Sequence, residues 1–359
     1  MGNIGDLYVN IHANARGLVS GLAHSQKKLR KFSRSAARMG RQMQTISRGM
    51  IGLGAAFAVP VTLAVREFAK FEKSMANVAT MLDEPQKHMR TFNSAVSDMA
   101  VEFGETTDAL AGGLYDILSA SVAPSKALDV LAVATKAAKA GMTDTKTAAD
   151  VITTALNSYG LEASEAGHVS DLLFTTVKRG KITFEELAGS LGNVSTIASI
   201  AGVEIEELLA TVASLTRVGI KSDVAMTAIK GVIKSFATAT DASFVAAKEL
   251  NLTLSATSLE SEGLLRVMQK LSGVNLDELA KIFPNIRAIT GLAPVLKKVS
   301  GFSADLDAMN NVLGATNRAF SQFVGTVDYV MNVAGEAIKR LGRTLGEVLV
   351  GETMEFAET

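Results

Sequence analysis

The chain has 359 residues, enough for two or three compact domains, and 48% of them are hydrophobic although only 5% are aromatic and none is Trp. The absence of Cys excludes disulfides, thiolate metal sites and cysteine nucleophiles together, and suits synthesis in a reducing compartment. The net charge of zero is divided unevenly: ten basic residues and one acid (Asp6) run up to Arg66, giving +9, and 26 basic against 35 acidic residues follow, giving −9.

In chain order, Leu7, Val9 and Ile11 alternate as a short N-terminal strand. That strand argues against a transit peptide in this acid-poor, Arg- and Ser-rich start, and Asp6 breaks the myristoylation pattern. A basic arm follows. Leu18, Leu22, Ser25, Leu29, Phe32, Ala36, Met39, Met43, Ile46, Met50, Leu53 and Phe57 recur at spacings of four and three, the 3.5-residue period of a supercoiling helix. Lys27, Arg30, Lys31, Arg34, Arg38, Arg41 and Arg48 fall off that seam on an outer basic face. Such a face is either simply solvated or meets an acidic or phosphate-bearing surface while the seam pairs with other copies. No aromatic residues are interleaved for base stacking, and sequence-specific nucleic acid binding is not expected.

Between Gly49 and Val65 no charge occurs, a run somewhat short for a membrane span and better suited to a buried hairpin or helix end. Gly52-Leu53-Gly54 does not complete a dinucleotide loop, because Phe57 stands where the third glycine belongs.

The middle of the chain reads as a train of short helices. Gly141, Gly160, Gly180, Gly202 and Gly219 follow apolar helical stretches, which predicts left-handed helix ends, with Met142, Leu161, Val203 and Ile220 packing back. Thr143, Ser164, Thr183 and Ser222 are the predicted N-caps, and Thr183/Glu186 and Asn275/Glu278 read as capping boxes. Tight links between helices of three to four turns predict antiparallel neighbours packed into one compact domain. Beyond it, Asn251–Ser255 reads as a brief extended stretch, and helices resume over 263–271 and 276–283 before Pro284.

A second long heptad pattern begins near Leu306 and runs through Asn310, Leu313, Asn317, Phe320, Val324, Val327, Met331, Ala334, Ile338, Leu341, Leu345 and Val348. Asn310 and Asn317 either fix register in a coiled coil or are solvated on a slightly rotating stripe. The expected architecture is all-α: a compact multi-helix core of short antiparallel helices flanked by long heptad-patterned helices, with the short strand at the start. It divides into a basic arm (1–66), a compact core (67–247), a helical extension of the core (248–305) and a C-terminal heptad helix (306–359). The self-association seam comprises Leu22, Leu29, Phe32, Met39, Met43 and Ile46 in the arm and Leu313, Val324, Val327, Met331, Ile338, Leu341 and Leu345 near the end.

Parts for catalysis are missing. His12, His24, His88 and His168 never approach metal-ligand spacing, and neither a G-x-S-x-G elbow nor a phosphate-binding loop occurs. Of the acidic pairs Asp83-Glu84, Glu185-Glu186 and Glu206-Glu207, two lie in first helical turns, where carboxylates favour the positive end of the helix dipole. No cofactor, metal site or enzyme activity is expected.

Phe68, Phe71, Glu72 and Met75, then residues 148–160, then Thr183 to Leu187 stand in a fixed order, and from about Phe68 to Leu296 the sequence so read resembles the phage tail tape measure family. Phe68, Phe71, Glu72 and Met75 match its F-x-x-F-E-x-x-M start, and residues 148–160, from Ala148 through Asp150, Asn157 and Tyr159 to Gly160, are similar to its most recognisable block. Ser170-Asp171, Gly180-Lys181, Thr183 to Leu187, Gly202-Val203 with Glu206 to Leu208, and Gly219-Ile220 continue in the same order. The resemblance implies a virion protein, several copies of which run in the tail tube lumen. It would template tube assembly, set tail length and leave ahead of the DNA at infection. The implied partners are tail tube subunits, tail assembly chaperones and baseplate or tail-tip proteins, together with further copies of itself, as a trimer, and contact with the host inner membrane. Its implied locations are the tail lumen and, during assembly, the host cytoplasm. Family members are usually much longer, with an extended helical ruler after this region. The alternative reading is a membrane-perturbing, pore-forming helical protein built on Gly49–Val65 and the basic arm.

Overall fold

The computed structural model describes residues 58–283, 289, 293, 296, 297 and 299–357. The arm seam, the basic face and the Leu7–Ile11 strand lie outside these residues. Among the described residues every regular element is helical, so the fold class is all-α. In order, the helices are α1 (Ala58–Ala79), α2 (Pro85–Phe103), α3 (Thr107–Ser119), α4 (Pro124–Gly141) and α5 (Thr145–Tyr159). A 3-10 turn (Ala163–Glu165) leads to α6 (Ala166–Arg179), α7 (Phe184–Leu191), α8 (Ser195–Ile200), α9 (Ile205–Arg217) and α10 (Ser222–Ala237). Then come α11 (Asp241–Glu249), α12 (Ala256–Leu271), α13 (Leu276–Ile282), α14 (Val299–Met309), α15 (Ala315–Phe323) and α16 (Val327–Ala357). The described residues fall into two compact units, one of residues 71–337 and one of residues 58–70 with 338–357.

The core of the larger unit is built on small side chains. In α4, Ala127, Ala134, Ala137 and Ala138 are buried, and in α5 so are Ala148, Ala149 and Ala155. Helices presenting alanine approach closely, and α3, α4 and α5 pack on one another, with α7 also against α5 and α6 against α4. Phe92, Leu110, Leu114, Leu131, Ile152, Leu172 and Phe184 fill the remaining space and are fully buried.

Local signals set many helix ends. Pro85 and Pro124 occupy first turns, where a missing N–H costs nothing. Thr106 accepts from the Ala109 N–H, Asp144 from Thr147 and Asn275 from Glu278. The Thr183/Glu186 capping box forms in both directions, at 3.2 and 2.9 Å. Three predicted caps move. Asp144 rather than Thr143 caps α5, Ser164 lies within the 3-10 turn, and Ser222 is the first residue of α10 rather than its cap.

Gly160, Gly202 and Gly219 end their helices with φ of 63, 72 and 95° as expected. Gly141 and Gly180 do not, and the reason is space rather than backbone freedom. A Cβ on Gly141 would lie 2.1 Å from the Phe184 ring, and one on Gly180 would lie 2.5 Å from Thr216 Oγ1. The left-handed turn after α4 falls instead on Met142, whose side chain is 86% exposed rather than packed back. Residues 251–255 form no strand, although Leu252 and Leu254 are buried.

The expected helix from Leu306 is broken twice. The stripe crosses α14, α15 and α16, with Leu313 in the link between the first two and Val324 in the link between the second pair. Glycines stand in both links, Gly314 at φ 74° and Gly325, so each heptad continues in sequence while the backbone turns. Asn310 and Asn317 therefore do not share one continuous helical seam. In the smaller unit α1 meets α16 at glycines: a Cβ on Gly346 would come within 2.6 Å of the Ala64 carbonyl oxygen and 2.7 Å of Phe68 Cβ.

Candidate functional site

Helix α16 carries the longest uninterrupted part of the predicted seam, and its two sides differ sharply. Val333, Glu336, Arg343 and Gly346 lie on its buried side. Val327, Met331 and Ile338 are 80, 66 and 62% exposed, and Leu341 and Leu345 are half-buried. At 100° per residue the apolar stripe points away from the covered face. The seam residues of α16 are thus presented outward as a row, whereas Leu313 (84% exposed) and Val324 stand apart from it on links. The arm seam from Leu22 to Ile46 and the basic face from Lys27 to Arg48 lie outside the described residues.

A second feature was not legible in the sequence. Three carboxylates join early helices to later ones. Asp171 of α6 accepts from the Gly314 and Thr316 N–H groups at 2.6 and 2.7 Å, capping α15 from another helix. Glu207 of α9 accepts from the Leu264 N–H at 2.8 Å, where α12 is kinked at Gly263 (φ 73°). It therefore caps the second half of that helix, although burial holds its carboxyl above the ordinary range. Asp305 of α14 is fully buried and receives Arg179 and Arg217, both at 2.6 Å, and Ser214 at 2.5 Å. Ordinary helix-surface spacing explains none of these pairs, whose members lie 57 to 145 residues apart.

The acidic residues at the α3, α5 and α7 ends line an open cleft of about 530 Å³ that includes Asp116, Asp144, Lys146, Asp150 and Glu185. Burial raises the Asp116 carboxyl, with Lys146 opposing and Asp150 and Asp144 adding to the shift. For Asp144, burial is outweighed by hydrogen bonds from the Thr147 backbone and side chain, which hold it below the ordinary value. The nearby Thr143 hydroxyl, first among several influences, holds the Glu185 carboxyl below the ordinary value. Of the acidic pairs, Glu186 completes the α7 capping box, Glu206 lies 2.9 Å from His168 Nε2, and Glu84 pairs with Lys87. Caps and ion pairs thus account for Glu84, Asp144, Glu186 and Glu206, and among the described residues no group could hold a metal ion. Also among the described residues, no helix is long and apolar enough to cross a membrane; Gly49–Val65 begins outside them.

Comparison with known proteins places the chain's sequence in a family. Residues 97–292 match the phage-related minor tail protein family. The chain is 25% identical over 350 residues to a probable tape measure protein of Clostridium phage phiCD119, covering 93% of this chain and 36% of the relative. It is 21% identical over 294 residues to the tape measure protein of Pneumococcus phage Dp-1, covering 79% of this chain and 26% of the relative. The chain thus spans about a third and a quarter of these relatives' lengths. No solved structure matches. More than half of the chain, from the last two turns of α2 through α13, lies inside the family match, and the chain belongs to the phage tail tape measure family of minor tail proteins.

Proposed function

We propose that this chain is the folded region of a tail-length ruler, a structural element without catalytic activity that templates the tail tube and is released at infection to aid DNA delivery. The single observation that carries the reading is the outward row of Val327, Met331 and Ile338 on a 31-residue helix that follows a core of this family. A row of apolar side chains at heptad spacing is a surface for further helices, and several copies, three in the simplest arrangement, would bundle along α16. The basic arm would meet tube subunits, whose lumen must be electronegative if DNA is to slide through it. Tail assembly chaperones and baseplate or tail-tip proteins are the remaining partners, with the tail lumen as the final location.

The test is length. Six whole heptads inserted after Val348 keep the stripe in phase and add about 63 Å of helix at 1.5 Å per residue. Tails measured by electron microscopy should lengthen by that amount, rounded to whole tube rings. Normal, infectious tails of unchanged length would end the ruler reading. Glu at both Met331 and Ile338 should reduce the self-association of the full chain seen by sedimentation, and an unaltered oligomer would show that this row is not the seam.

A further inference from the structure

Helix α15 is attached differently from its neighbours. It is a nine-residue helix between two glycine-containing links, residues 310–314 and 324–326. It lies on α4 and α6, yet the one residue it buries fully is Thr316, a polar one. Its own N-cap is Gly314, which has no side chain to offer, and Asp171 supplies the missing acceptor from α6. Beside that contact Ser170 Oγ and Thr316 Oγ1 share a hydrogen bond at 3.0 Å. On the outer side Phe320 stacks edge-on against both Phe103 and Tyr329, at 5.9 and 6.0 Å. The Tyr329 hydroxyl donates to the Glu102 carbonyl, and Val333 packs against Gly104.

We propose that α15 is a strap that opens as a unit on its two glycine links, with Asp171 as the latch, and that its opening loosens the root of α16. A helix held through directional hydrogen bonds at one end and one aromatic side chain at the other detaches in one step. Apolar burial distributed along a helix would instead tie it to global unfolding. Loss of Phe320 removes a ring partner from Tyr329, so the first turns of α16, which carry Val327 and Met331, open with the strap. Such opening belongs to the closing of the fold, whether or not the chain is a ruler.

Native-state hydrogen exchange of the full chain, in guanidinium concentrations below the unfolding transition, tests this without any variant. Amides of residues 317–323 and 330–333 should exchange together and at least ten times faster than those of residues 151–156 in α5. Equal protection of all three segments would overturn the proposal, as would independent behaviour of the first two. An Asp171→Asn chain, which loses one of the two acceptors while keeping the shape, should speed exchange of 317–323 at least tenfold further and leave 151–156 within about twofold. A uniform increase across both segments would assign Asp171 to general stability and remove the latch.

Discussion

Helices α5 and α15 both pack on α4, and they do so by different physics. Helix α5 buries Ala148, Ala149, Val151, Ile152, Ala155 and Leu156, an apolar face that five other elements cover. Helix α15 buries Thr316 and depends on a carboxylate from α6. Apolar burial is non-directional and accumulates with area, so α5 tolerates small shifts and resists removal. Hydrogen bonds to a buried carboxylate act only at one geometry, so they specify where the later helices sit and are lost together. The alanine-packed region is thus the stable frame, and the carboxylate-held helices are fitted to it.

The difference sets the scale of what substitutions should do. The largest effect is expected within the frame. Phe184 is fully buried against Gly141, where a Cβ has no room, so Phe184→Ala leaves a cavity that the glycine cannot fill. A loss of about 3–5 kcal/mol in denaturant unfolding is expected. A loss below about 1 kcal/mol would show that the α4–α7 contact is not packed as described.

An intermediate effect is expected at Asp305. Asp305→Asn keeps the volume but weakens the contacts to Arg179 and Arg217, which remain partly exposed and can be resolvated. The expected cost is about 1–3 kcal/mol, smaller than for a fully enclosed pair. Increasing salt should change the stability of the parent and the variant alike if the contact is shielded from solvent. A contact that salt abolishes in the parent would place it at the surface instead.

The smallest effect concerns the cleft. The Asp116 carboxyl is raised above 3.8 by burial, so its contribution favours the fold below that value and is lost as pH rises through the folded pKa. Asp116→Asn should therefore gain stability relative to the parent on going from pH 3 to pH 7. The Lys146 ammonium, 3.9 Å away, reduces that gain. A difference between the two chains that is constant with pH would contradict the raised carboxyl. Asp144 behaves oppositely: its lowered carboxyl supports the fold above 3.8, and that support disappears as pH falls through the folded pKa.

What the sequence determined by itself is local. The alternation of apolar runs and caps placed the short helices, and the Thr183/Glu186 box and the Asn275 cap formed where their spacing predicts. Gly160, Gly202 and Gly219 turned where expected, because a left-handed helix end is decided within one turn of chain. The heptad period marked one face of α16 as apolar, since that too depends only on residues three and four apart. Tertiary packing decided the rest. Gly141 and Gly180 are glycines because Phe184 and Thr216 press against them, a cause that lies 43 and 36 residues further on. The stripe from Leu306 divides among three helices because α14 and α15 are drawn back onto the core. Asp171, with its partners Gly314 and Thr316, and Asp305, with Arg179 and Arg217, reach across 88 to 145 residues. A periodic pattern reports which face of a helix is apolar. It carries no record of which distant backbone N–H a buried carboxylate will satisfy, because that pairing is fixed only when the helices are packed together.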